Sequence, residues 1–208
     1  MDIKLNIAQN LKTQFESQFK LKELKREYFL DSMIGHGQGM KFLNFPGQLE
    51  FYHFKKSRFN VPVQMKSINP VDSEWFLIHI NLSGIKQQKT VEDKVIDFQK
   101  HLSVGLLLYG PGLEIDTQLP INVEMELASI HFNHAFLNSY FNNWKDIIDT
   151  SKNLIYEDLD YQLENMLNKA LSSIDNKIEC HSFVLQFMSL FLNKISSHSK
   201  VYHGENQR

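Results

Sequence analysis

The chain has 208 residues, a formal net charge of −2 and a hydrophobic fraction of 42%. That much apolar material can fill a core, which argues against global disorder, and the length fits one domain or one domain with an appendage. A charge near zero gives no overall attraction to DNA, RNA or an anionic membrane, so nucleic-acid binding through general electrostatics is excluded.

Residues 1–25 form an N-terminal arm of mixed signal. Leu11, Phe15 and Phe19 are spaced by four, as on a helix, while Phe19-Lys20-Leu21 alternates as a strand does. Arg26 to Met33 reads as extended. The glycines of Gly35-His36-Gly37-Gln38-Gly39 then break the chain. A phosphate-binding loop would need a Lys-Ser/Thr pair and a helix after its last glycine. Met40-Lys41-Phe42 follows instead, so a plain loop is expected. Strands are predicted at Lys41–Phe45, at Gln48–Lys55 after a Pro46-Gly47 turn, and at Val63–Ile68.

Glu74-Trp75-Phe76-Leu77-Ile78-His79-Ile80-Asn81-Leu82 carries the strongest pattern. Phe76, Ile78, Ile80 and Leu82 fall on one face, and Trp75, Leu77, His79 and Asn81 on the other. Turn residues precede it and Ser83-Gly84 closes it, so it reads as the central antiparallel strand of a barrel or sandwich. Lys86–Asp93 reads as a polar hairpin tip. Further strands are expected at Val95–Phe98, Val104–Tyr109, Leu113–Leu119 and Asn122–Phe132.

The period then changes to that of helices. Asn133 can cap a helix bearing Phe136, Leu137, Tyr140 and Phe141. Asp160 opens a second with Leu163, Met166, Leu167, Ala170, Leu171 and Ile174 on one stripe. After a short turn at Asp175-Asn176-Lys177, a third helix carries Val184, Phe187, Met188, Phe191 and Ile195. Phe183, Leu190 and Leu192 widen that stripe. It either packs on the barrel or forms the core of a homodimer interface, and the dimer is the expectation carried forward. Ser196 to Arg208 reads as a polar linker or tail. The predicted organisation is a β-barrel over 1–132, including the arm 1–25, a helical part over 133–197, and a tail over 198–208.

Cys180 is the single cysteine, so no internal disulfide can form. With no signal-peptide run at Met1-Asp2-Ile3-Lys4 and no apolar stretch of about 20 residues, a soluble, cytoplasmic location without membrane attachment is expected.

Catalytic chemistry finds little footing. A metal site in a small barrel places His-x-His on one strand face, with a carboxylate shortly after and another His from a later strand. Here His79-x-Asn81 is followed by Ser83-Gly84-Ile85-Lys86, His131 and His134 straddle a strand-helix junction, and His53 stands alone. Cys180 and His181 are helix neighbours that diverge. No Gly-x-Ser-x-Gly elbow is present. Glu124 and Glu126 read as a solvated face. No metal, cofactor or catalytic residue is assigned. A barrel of this size can hold a small ligand, and Tyr52, His53, Trp75, His79 and His131 are the candidate pocket residues.

Several segments together resemble a known family. Phe45-Pro46-Gly47-Gln48-Leu49-Glu50-Phe51-Tyr52-His53-Phe54, Lys66-Ser67-Ile68-Asn69-Pro70 and Trp75-Phe76-Leu77-Ile78-His79-Ile80-Asn81-Leu82-Ser83 are similar to the N-terminal half of AraC-family transcription regulators. So are Tyr109-Gly110-Pro111-Gly112 and Leu154-Ile155-Tyr156-Glu157-Asp158-Leu159, and the resemblance spans roughly residues 26–195. It implies a mainly β fold, a cupin-like antiparallel barrel or sandwich that senses a small-molecule effector, followed by an antiparallel helix pair that dimerises. It also implies DNA contact only through a pair of helix-turn-helix units. Those units are not found after Ile195, so DNA binding is not expected of this chain. The rival readings are a metal-dependent cupin enzyme and a ligand-free interaction scaffold.

Overall fold

A computed structural model describes residues 1–24, 27–100, 102–141, 143–148 and 154–204, with side chains to Ser196. In chain order the elements are β1 (Asp2–Asn6), α1 (Leu11–Phe19), β2 (Lys22–Leu24), β3 (Glu27–Ser32), β4 (Gly35–Phe45), β5 (Leu49–Phe59), β6 (Val63–Ile68) and β7 (Trp75–Asn81). Then come β8 (Gln87–Val91), β9 (Lys94–Phe98), β10 (Leu106–Tyr109), β11 (Glu114–Leu119) and β12 (Met125–Asn133). The series ends with α2 (His134–Tyr140), α3 (Trp144–Ile147), β13 (Leu154–Glu157), α4 (Tyr161–Ser172) and α5 (Lys177–Gly204).

The strands form two sheets, ordered β1-β6-β11-β8-β9 and β13-β10-β7-β12-β5-β4-β3-β2. Pairing is antiparallel except for β1, which lies parallel to β6. The fold is therefore mainly β, a two-sheet sandwich with helices after it, rather than a closed barrel. The middle strands of the larger sheet, β10, β7 and β12, are buried on both faces. Phe76, Ile78, Ile80, Ala128, Ile130 and Phe132 pack in one core with α2 to α5, while Leu77, Tyr109 and Met125 belong to a second core against the smaller sheet. The all-apolar face of β7 thus lies under the helices, and its mixed face is the one inside the sandwich.

Local chemistry sets most boundaries. Asn133 caps α2 by accepting from the Phe136 N–H at 3.1 Å, and Asp160 caps α4 by accepting from the Gln162 and Leu163 N–H groups. The arm resolves its mixed signal into the helix α1 followed by the strand β2.

Four expectations are corrected. The glycine run at 35–39 is strand, not loop. It pairs with β5 from Gly35–Phe59 to Gln38–Lys56. A Cβ on Gly35 would sit 2.7 Å from the Arg58 carbonyl oxygen, and Gly39 has φ +62°, so glycine here permits close pairing and a bulge. Of the polar tip expected at Lys86–Asp93, only Glu92 and Asp93 form the hairpin turn; Gln87–Val91 is β8, an interior strand of the smaller sheet. The helical stretch is interrupted by β13, which extends the large sheet beside β10. The polar tail continues α5 to Gly204, because no proline or glycine precedes that residue to stop it. Residues 205–208 of that tail, and Arg26 at the start of the predicted extended stretch, lie outside the described residues.

The helix stripe named for a dimer interface is used within the chain. Val184, Phe187, Met188, Phe191 and Ile195 are at most 4% exposed and pack on the large sheet and its helices. They cannot also meet a second copy without the core opening. No helix among the described residues is long and apolar enough to cross a membrane.

Phe191→Ala should therefore cost about 3–5 kcal/mol of stability in urea denaturation, as a core truncation does. Phe191→Glu should abolish the cooperative transition rather than yield a folded monomer. A folded, fully cooperative Phe191→Glu protein would refute this packing.

Candidate functional site

The space between the two sheets is incompletely filled. A cavity of about 80 Å³ remains, larger than the ~30 Å³ share of one liquid water. Leu11, Phe15 and Phe19 of α1 cover one side of it. Their spacing of four places all three on one helix face, and the Gln14 and Gln18 side chains bind the backbone of β1 at 2.7–3.1 Å. Leu30, Met40, Phe54, Phe59, Met65, Leu119 and Met125 complete the apolar wall.

Two nitrogen-bearing side chains interrupt this wall. Lys89 is 1% exposed. It faces inward because β8 alternates, with Gln87, Lys89 and Val91 buried and Gln88 and Thr90 turned out. Its ammonium donates to Thr117 Oγ1 at 3.0 Å and stands 5.0 Å from the centre of the Phe98 ring and 5.8 Å from that of Tyr109. Such cation–π contacts offset only part of the loss of water. No Asp or Glu lines the cavity among the described residues. Burial accordingly brings the Lys89 amine down to about 7.

His79, on β7, is the second. It is 7% exposed, and its ring contacts the same Phe98 and Tyr109, at 5.3 and 6.4 Å. Nδ1 pairs with Ser129 Oγ at 3.0 Å, while the buried Nε2 has no partner. Burial first, and the Lys89 charge second, hold the imidazole well below its ordinary value. Burial also raises the Tyr109 hydroxyl.

Of the five pocket residues expected from sequence, Tyr52 and His79 line the cavity. Trp75 and His131 stand beside it, stacked on each other at 4.2 Å. His131 is fully engaged, with Nδ1 on Glu50 Oε2 and Nε2 on the Ile7 carbonyl, each at 2.7 Å. Tyr52 donates its hydroxyl to the same Glu50 carboxylate. Burial alone would push the Glu50 carboxyl up, but the bonds from His131 and Tyr52 outweigh it and hold the group below its ordinary value. This cluster ties the segment between β1 and α1 to the large sheet. His53 faces the other way, paired with Glu126 at 2.8 Å, because up to Phe54 the even positions of β5 face the sandwich interior; a register shift beyond Phe54 then turns Ser57 and Phe59 inward. It is not a pocket residue. Lys89, Tyr109 and Ser129 were not anticipated as site residues.

These histidines do not fit a metal. Both His131 nitrogens are occupied, and Asn81 is held by the carbonyls of Ile85 and Phe98 at 2.9 and 3.0 Å. No group of three His, Cys, Asp or Glu among the described residues is placed to hold an ion. The Cys180 thiol is buried and pushed up to about 12, so it stays protonated. His181 stacks on Phe45 at 4.6 Å.

The fold and cavity define a two-sheet β-sandwich with a partly polar interior pocket. No protein-family model and no curated protein matches the sequence. Among solved structures, the chain is similar to a cupin protein from Bacteroides fragilis, with 15% identity, 42% of this chain and 67% of that chain covered, and a TM-score of 0.33. It is also similar to a cupin conserved barrel domain protein from Salinispora arenicola, with 11% identity, coverage of 57% and 92%, and a TM-score of 0.34. A third is the cupin domain of an XRE-family transcriptional regulator from Enterobacter cloacae, with 8% identity, coverage of 45% and 93%, and a TM-score of 0.33. At such identities these likenesses assign no activity.

Two predictions follow from the polar groups. An unfolded lysine titrates near 10.5, and Lys89 in the fold near 7. Between those values the unfolded chain holds a proton that the folded chain does not, so Lys89 makes stability rise with pH across that window. Below it the penalty is fully present. Lys89→Met should thus stabilise the protein near pH 7 by on the order of a few kcal/mol. The advantage should shrink toward pH ~10. Urea denaturation of both proteins across this range measures it, and a destabilised variant would contradict it. His131→Phe should keep the stack on Trp75 but release the Ile7 carbonyl. Amide hydrogen exchange should then quicken across residues 8–19 while β7 and β12 stay protected; unchanged exchange over α1 would contradict the tether.

Proposed function

We propose that the chain is the effector-sensing and dimerising part of an AraC-type bacterial transcription regulator, working in the cytoplasm by binding rather than by catalysis. One observation carries the reading: a partly empty, mostly apolar cavity lies on one face of the sheet whose other face holds the helices. On β7, His79 lines the cavity while its neighbours Ile78 and Ile80 pack beneath the helices. On β12, Ser129 and Ile130 divide in the same way. An occupant that moves these strands moves the seat of α5 with them. The sequence resemblance supplies the regulator class, and with it DNA contact through a helix-turn-helix domain. In this reading two copies pair, and because the stripe around Phe191 is used inside the chain, the pairing surface is another one.

The test has two parts. A mixed panel of sugars, carboxylates, alcohols and amines is screened by ligand-observed NMR, with Leu30→Trp as a cavity-filled control whose folding is checked by near-ultraviolet circular dichroism. At least one compound should bind the wild type, fail to bind the control, and alter hydrogen exchange in α5. If no compound binds, or binding leaves α5 unchanged, the scaffold reading replaces this one. Sedimentation velocity at tens of micromolar should show a dimer, which at that concentration requires roughly −6 kcal/mol of association. A monomer there would remove dimerisation from the proposal.

A further inference from the structure

The cavity holds donors without matching acceptors. An ammonium has three N–H donors, and Lys89 gives one to Thr117. His79 Nε2 is buried without a partner. If Ser129 donates to Nδ1, then Nε2 carries the proton and also donates. Both groups lie against Phe98 and Tyr109, so they converge on one end of the cavity. The charged and titratable groups around them are Lys89 on β8, His79 on β7, Tyr109 on β10 and Tyr52 on β5, and no carboxylate joins them among the described residues. From this polar end to the face of α1 the lining is mostly Leu, Phe and Met.

We propose that the cavity binds a monocarboxylic acid with an apolar body, its carboxylate seated between Lys89 Nζ and His79 Nε2 and its body against Leu11, Phe15 and Phe19. This names the effector class for the sensing role proposed above and rests on that reading. Each carboxylate oxygen meets one donor. The anion supplies the counter-charge that Lys89 lacks, and charge-assisted bonds in a water-poor site are stronger than neutral ones. An alcohol of the same length could accept from one donor but would leave the ammonium unneutralised. An amine would add a second cation to the first. A sugar would leave most of its hydroxyls facing apolar side chains.

Binding also draws a proton. The empty site lets go of the Lys89 proton near neutral pH, while an adjacent carboxylate favours the charged form. Carboxylate affinity should therefore fall as pH rises above about 7.

The test is isothermal titration of the full chain with octanoate, 1-octanol, octylammonium and acetate, repeated for Lys89→Met and His79→Phe. Octanoate should bind more tightly than the other three. Lys89→Met should weaken octanoate by about tenfold to a hundredfold and leave octanol binding unchanged or improved. His79→Phe should weaken octanoate by a smaller factor. Buffers of different ionisation enthalpy should report proton uptake on octanoate binding at neutral pH. Equal affinity for octanol and octanoate, or undiminished octanoate binding by Lys89→Met, would overturn the carboxylate assignment and leave the sensing reading standing. If neither octanoate nor octanol binds, the assignment fails; whether the sensing reading fails with it is decided by the wider panel. The unfolding transition of Lys89→Met provides the folding control.

Discussion

Everything in this molecule depends on the middle strands of one sheet being dry on both sides. A strand sends successive side chains to opposite faces, so a sheet with two buried faces needs two complementary sets of residues on each strand. β7 and β12 meet that demand differently on each side. Toward the helices they present Phe76, Ile78, Ile80, Ala128, Ile130 and Phe132, a plain apolar surface. Toward the smaller sheet they present Leu77, His79, Asn81, Ser129 and His131. The first face is closed by α2 to α5, and the second is closed less completely.

Polar groups on the second face divide by what they do. Asn81 holds two carbonyls and, through its own oxygen, the Ser83 N–H and hydroxyl. His131 bridges Glu50 and Ile7. Both have used their bonding capacity in fixing the chain. Lys89 and His79 have not. Placing a cation in an apolar interior with a single hydroxyl acceptor is unfavourable to folding, and a methionine would fit the same space without that penalty. A group kept at such a cost points to a ligand more strongly than a buried polar residue with all its partners in place.

The sequence revealed features whose cause is local. Alternation over residues 74–82 marked β7, and Asn133 and Asp160 marked helix starts, because strand facing and capping involve side chains and backbone only a few residues apart. Features set by distant partners were hidden. Gln87-Gln88-Lys89-Thr90 looks like a solvated turn, since nothing nearby reveals that Phe98, Tyr109 and Thr117 surround Lys89. The glycines at 35–39 look like a break, yet they let β4 lie close against β5. The stripe from Val184 to Ile195 was visible as apolar, but sequence could not say whether another chain or this chain's own sheet covers it. Tyr52 and His79 stood out as polar side chains on apolar strands; His53 shared that signature but lies on the wrong parity of β5.

The unequal faces of β7 also bear on how the chain finds its pairing. If β7 slipped by one residue against β10 and β12, its two side-chain sets would trade places. In a sheet with one wet face, such an error exposes apolar groups but leaves the polar ones solvated. Here both destinations are dry. Asn81 would lose the carbonyls of Ile85 and Phe98, His79 would lose the Ser129 hydroxyl, and each would sit beneath helices that present Val184, Phe187 and Phe191. Each stranded group costs about 1–3 kcal/mol, so the mispaired state is penalised at several places along one strand. The same polar atoms that make the interior imperfect as a core act as registration pins, separating the native pairing from its nearest competitor.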